Sequence, residues 1–116
     1  MLPEINRLKN KKDFEKVFKE GEGFKEDFLI LKLLSNNLKG SRFGIIVSKK
    51  ISKKATLRNK IKRQVRELIR LRLPKIKKGK DLILIAIPGL EKEDFWEIEE
   101  TIKKLFKRAK LINEGE

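Results

Sequence analysis

The segment ATLRNKIKRQVRELIR, residues 55–70, carries Arg58, Lys60, Lys62, Arg63, Arg66 and Arg70 against one acid, Glu67. Cationic groups spaced this closely do one kind of chemistry well. They hold phosphate oxygens, arginine through a planar fork and lysine as a point charge. Lys62, Arg66 and Arg70 recur at every fourth position, where like charges on a helix cost about 0.2–0.5 kcal/mol per pair. Arg63 and Glu67, at the same spacing, offer the main relief. Local stability does not explain the pattern, and an external polyanion does. Hydrolysis by the chain's own groups is a poor match, because it has no His, Cys or Tyr to move protons or act as nucleophile. Asp13, Glu15, Glu20, Glu22, Glu26 and Asp27 could in principle bind Mg²⁺, but they read more simply as a solvated helix and turn. No catalytic residue and no protein metal site is expected.

A helix must position these cations. At about 100° per residue, with Leu57 at zero, Ile61 lies at about 40°, Val65 at about 80°, Leu68 at about 20° and Leu71 at about 320°. On the far side, Lys62 lies at about 140°, Arg66 at about 180°, Asn59 at about 200°, Arg70 at about 220° and Arg63 at about 240°. Arg58 and Lys60 flank the boundary. One side is apolar and suits the protein's own sheet, and the other is a cationic ridge. The helix is expected over 56–73, with Thr56 or Ser52 as cap and Pro74 just past its end.

The remaining elements supply the scaffold. Asn10 reads as the cap of a short first helix that presents Phe14, Val17 and Phe18 on one face and stops at Gly21 and Gly23. FLILKLL (28–34) and RFGIIVS (42–48) read as strands, most simply antiparallel partners across the turn SNNLKGS. DLILIAIP (81–88) is apolar at consecutive positions, as for a strand covered on both faces. Residues 93–111 carry apolar side chains at helical spacing, with acids first and bases last. The expectation is one α+β domain spanning 1–116, a small three- to four-stranded sheet packed with three helices, its last residues 113–116 frayed.

Charge placement sharpens the functional reading. The chain nets +14 over 116 residues. Residues 49–80 hold fifteen Lys and Arg and one acid, so this window accounts for the entire excess. Such focusing points to nucleic acid first and an anionic membrane second. No second helix sits close before the basic one, as DNA docking by a helix-turn-helix requires, and folded RNA is the better match. No run is long and apolar enough for a membrane span, the N-terminus lacks a signal-peptide core, and a cytoplasmic protein is expected.

Arg58-Asn59-Lys60-Ile61-Lys62-Arg63-Gln64-Val65-Arg66-Glu67 resembles the signature of the protein subunit of bacterial ribonuclease P. NRLKNKKDFEKVF, RFGIIVSKK, DLILIAIP and the Lys/Arg-rich end of the last helix extend the resemblance over most of the chain. It implies a four-stranded sheet, with the basic helix in a left-handed βαβ crossover, contrary to the usual hand. A fourth strand would lie near residues 23–27 or arise by division of one of the three strands already counted. The resemblance implies that Arg58, Asn59, Lys60, Lys62, Arg63 and Arg66 bind the catalytic RNA, and the cationic ridge adds Arg70 to them. Phe14 and Phe18 would stack on the single-stranded 5′ leader of precursor tRNA, with Arg7, Lys49 and Lys50 adding charge. The RNA with its Mg²⁺ would cleave, and the protein would bind no cofactor. Three positions depart from the family's pattern: Lys60 replaces an arginine, the 47–56 loop lacks its usual glycine, and FLILKLL has no tyrosine, leaving Lys32 or Leu31 in its place. Two other classes share the charge logic. A ribosomal or other structural RNA-binding protein would lack a leader groove, and a peripheral membrane protein would favour an interfacial Trp on the helix stripe.

Overall fold

The computed structural model describes residues 2–112. The expected fraying of 113–116 lies outside the described residues. After a 3-10 turn at Glu4–Asn6 come helix α1 (Lys11–Glu20), strands β1 (Glu22–Glu26), β2 (Leu29–Ser35) and β3 (Arg42–Val47), helix α2 (Ala55–Arg72), strand β4 (Lys80–Ala86) and helix α3 (Phe95–Arg108). The sheet runs β1-β2-β4-β3. β1 and β2 are antiparallel, as are β2 and β4, whereas β3 and β4 are parallel. β3, α2 and β4 therefore form the parallel crossover implied by the resemblance.

The expectation that RFGIIVS pairs with FLILKLL is wrong. The two strands do run in opposite directions, but β4 lies between them, with Leu84 beside both Leu31 and Ile45. The reason is burial. β4 carries Leu82, Ile83 and Leu84 in succession, each almost wholly buried, and only a central strand covered on both faces hides all three. The fourth strand does fall where it was sought, as β1.

Alternation along the strands divides the apolar residues between two layers. On one face Leu29, Leu31, Phe43, Leu82 and Leu84 pack with Ile61, Val65, Leu68 and Ile69 of α2 and with Ile98, Ile102, Leu105 and Phe106 of α3. On the other, Val17 of α1 packs with Leu8 and Ile83, flanked by Phe14, Leu34, Ile46 and Ile85. The Asn10 side chain accepts the Lys12 N–H at 2.9 Å, so the predicted cap of α1 is present. Gly21 ends that helix, whereas Gly23 belongs to β1. Neither Thr56 nor Ser52 caps α2: Lys54 occupies the N-cap position and makes no side-chain cap bond. Ser52 Oγ, two residues before the N-cap, instead accepts the Lys54 N–H at 3.0 Å. Pro74 lies in the 3-10 turn that follows α2.

Candidate RNA interface

The rotation of α2 is set by what it buries. Ile61, Val65, Leu68 and Ile69 are sealed into the core. Leu71, expected in the stripe, is 53% exposed, and Ile69 takes its place. Ile69 lies at about 120° on the same wheel, so the buried face is turned toward the Arg58 side. That turn leaves Asn59, Lys60, Arg63 and Arg70 exposed, with Arg58, Lys62 and Arg66 half-buried along the rim. The ridge thus forms one continuous surface.

Its charges are unequally committed. Among the described residues, Lys60, Lys62, Arg63 and Arg66 have no carboxylate partner. Arg70 differs. Its Nε and Nη2 donate to the two Glu67 oxygens at 3.0 and 2.5 Å. This pairing holds the guanidinium above its ordinary pKa and the Glu67 carboxyl below its own. Arg70, not Arg63, is therefore the partner of Glu67. Arg58 Nη1 donates to the Ser52 carbonyl at 2.7 Å, tying the start of α2 to the loop before it.

The aromatic side of the site lies across a cleft of about 260 Å³, where Arg7, Lys9 and Phe14 face Lys62 and Arg66 over the Phe43–Ile45 segment of β3. Arg7 is held there by a bridge to Phe43 and by its Nε donating to the Leu2 carbonyl at 2.9 Å. Phe14 lies so close over Gly44 that a methyl group on the glycine would overlap its ring. Phe14 is thus an anchor of α1. Phe18, one turn on, is 41% exposed and keeps an open ring.

On the same face, Ile30, Ile85 and Ile46 lie side by side across β2, β4 and β3, each half-buried. Lys32 also points to this face and lies across Gly23, whereas Leu31 is wholly buried on the opposite side. Of the two substitutes for the missing strand aromatic, only Lys32 is available. Lys49 and Lys50 are exposed in the loop after β3, where the Lys50 N–H donates to Ser48 Oγ at 3.2 Å. They share no contact with the Arg7 cleft.

Two arrangements escaped the sequence reading. Arg42 grips Asp81 through Nε to Oδ1 at 2.9 Å and Nη2 to Oδ2 at 2.7 Å, and reaches Asp13 at 3.2 Å. Asn36 also donates to Asp81, at 2.8 Å. These bonds fasten α1 to the sheet and keep Arg42 firmly charged, its hydrogen bond to Asp81 foremost. The Glu93 carboxyl is pushed up to about 7 by burial first and the neighbouring Asp27 second. Partners 29 to 45 residues apart leave no local signal. No group of three or more His, Cys, Asp or Glu side chains is arranged to hold a metal among the described residues.

The sequence model of the Ribonuclease P family matches residues 2–110. A ribonuclease P protein component from Pseudanabaena sp. (strain PCC 6903) is 36% identical over 97% of this chain and 98% of its own length. One from Thermotoga sp. (strain RQ2) is 42% identical over 88% and 90%. The solved Staphylococcus aureus RNase P protein superposes with a TM-score of 0.85 at 32% identity, covering 93% of this chain and 98% of that one. The Thermotoga maritima RNase P protein gives 0.80 at 38%, covering 88% and 96%. With matching sequence, sheet order and helix placement along nearly its whole length, the chain belongs to the ribonuclease P protein family.

Proposed function

We propose that this protein binds the catalytic RNA of ribonuclease P through the α2 ridge and grips the 5′ leader of precursor tRNA on the α1 side of the sheet. One observation carries the reading: among the described residues, Lys60, Lys62, Arg63 and Arg66 stand without carboxylate partners on a helix whose other face is sealed into the core. Burial of that face holds the cations in one plane before any ligand arrives. The cations then displace the counterions condensed on RNA phosphates without the helix reorganising. Lys60, where relatives carry arginine, contributes charge without the planar fork.

Phe18 offers its exposed ring to a leader base, worth about 1–3 kcal/mol when fully stacked. Half-buried Ile30, Ile46 and Ile85 form an apolar floor, and Lys32 and Arg7 supply flanking charge. Hydrolysis belongs to the RNA, whose bound Mg²⁺ supplies the Lewis-acid chemistry. The protein screens phosphate repulsion and positions substrate. We place this work in the cytoplasm; among the described residues no helix is long and apolar enough to cross a membrane.

The experiment is a titration of ribonuclease P RNA with Arg63→Ala/Arg66→Ala over a range of salt. Affinity should fall roughly 10- to 100-fold, and the slope of log affinity against log salt should shrink by about 2, because each phosphate contact contributes about 0.9. Thermal stability should stay near that of the parent. Parental affinity at every salt concentration would remove the ridge from the interface. Cleavage at the mature 5′ end by RNA-free protein would overturn the division of labour.

A further inference from the structure

The ridge uses only part of the basic window. KIKKGK, residues 75–80, lies beyond the C-terminal end of α2, and its charges have no role so far. The structure joins this loop to the β2–β3 loop, residues 36–41. Ser41, almost wholly buried, donates its Oγ–H to the Lys77 carbonyl at 2.7 Å and accepts the Lys80 N–H at 3.1 Å. The Asn36 N–H donates to the Gly79 carbonyl at 2.9 Å. Gly79 has φ of +82°, a conformation that side chains resist, so the close passage of the two loops depends on glycine there. Ile76 is buried in the core, and the Lys77 N–H donates to the Leu111 carbonyl at 2.9 Å. Both loops are therefore fixed.

On this rigid platform Lys39, Lys75, Lys77 and Lys78 are all exposed. Among the described residues none has a carboxylate partner. Asp81, the acid next to KIKKGK, is buried and committed to Arg42 and Asn36. Flexible lysines on a mobile tail could spread apart, but lysines on a pinned backbone are held together at a repulsive cost. We propose that these two joined loops form a second contact for the phosphate backbone of RNA, distinct from the α2 ridge. Lysine without arginine suits a surface that follows charge rather than recognising one planar group. The loops contain no aromatic residue, which argues for RNA over a lipid interface, where Trp and Phe anchor.

The geometry also predicts independence. Arg66, the nearer arginine of the ridge variant, and Arg72 are six positions apart, about 9 Å along the helix axis, and the loop lysines lie beyond Arg72. That exceeds the screening length of about 8 Å at physiological salt. The two clusters should therefore release counterions separately. The proposal extends the RNA-binding reading to another surface, and the two can fail separately.

The test uses the full chain with Lys39, Lys75, Lys77 and Lys78 all changed to Gln, titrated against a ribonuclease P RNA transcript over a range of salt. Affinity should fall roughly 10- to 100-fold and the salt slope should shrink by up to about 3.6, about 0.9 for each lysine in contact. Combined with Arg63→Ala/Arg66→Ala, the losses in log affinity and in slope should add. Lys77→Arg/Lys78→Arg should retain both, which separates charge from folding damage. Parental affinity and slope in the four-fold Gln variant, with the ridge variant weakened, would overturn the second contact and leave the ridge standing. The reverse pattern would support the loops and remove the ridge. Reduced sedimentation with anionic phosphatidylglycerol vesicles, at unchanged RNA affinity, would assign the loops to membrane and also overturn the proposal.

Discussion

Helices α2 and α3 pack on the same face of the sheet, yet their charges are arranged for different ends. α3 begins with Asp94, whose side chain accepts the Glu97 N–H at 2.9 Å while Glu97 accepts the Asp94 N–H at 3.0 Å. Acids at its start and Lys107 and Arg108 in its last turn match the helix dipole. Arg108 bonds to Glu26 at 3.0 Å, and Glu99 receives Arg72 at 3.0 Å. α2 starts at Lys54 with no side-chain cap and no acid in its first turn, and much of its charge goes unpaired. The contrast shows which charges serve the fold. In α3 caps and pairs accumulate; in α2 the cap is missing and the buried stripe carries the stability, which is what the proposed contact with phosphate requires.

That contrast can be broken in several places, beginning with the largest effect. Arg42→Ala removes a fold-serving cation and leaves the Asp81 side chain, 7% exposed, without its ion partner. Unfolding free energy in urea should drop by about 3 kcal/mol or more, while RNA affinity of the folded fraction stays within about twofold. A large affinity loss at full stability would erase the distinction between the two kinds of charge.

Gly44→Ala drives a methyl group into the Phe14 ring and should cost about 1–3 kcal/mol. Leader-bearing substrate should lose more affinity than mature tRNA, because α1 shifts with its ring. Equal losses for both substrates would mean that α1 does not shape the leader side.

The caps test the comparison directly. Asp94→Ala should lower stability by about 1 kcal/mol with RNA binding untouched. Lys54→Asp installs in α2 what it lacks, and should raise stability by about 0.5–1 kcal/mol while weakening RNA binding severalfold. A stabilised variant that binds RNA as tightly as the parent would show that the missing cap has no connection with the ligand.

A separate expected effect concerns pH. Glu93 titrates at about 7 in the folded chain against an ordinary 4.5. Because the folded value is the higher, stability from the protonated form is complete below the unfolded value and disappears as pH rises through the folded one. Melting temperature should decline between about pH 5 and 8, and Glu93→Gln should flatten that decline. An identical slope in parent and variant would assign it to another group.

Much of the candidate interface is legible in the sequence. Helical spacing of Ile61, Val65 and Leu68 predicted which side of α2 turns inward, since a repeat of 3.6 residues converts position into direction. The charge window marked the outer side, and the run of apolar residues in β4 announced a strand covered on both faces. Local chemistry encodes these features, and neighbours along the chain suffice to read them.

What the sequence could not decide was adjacency. It placed β3 beside β2, because a short turn favours that pairing, and only the burial demands of β4 moved the two strands apart. Spacing assigns Glu67 to Arg63, whereas in the folded helix it is Arg70, three positions on, that holds the carboxylate. The Arg42–Asp81–Asp13 clasp, the seat of Phe14 over Gly44 and the joining of two lysine loops through Ser41 all link distant segments. Composition and periodicity record which way a side chain faces along its own helix or strand. Which group it meets depends on the sheet order, and that order is settled only when the whole core closes.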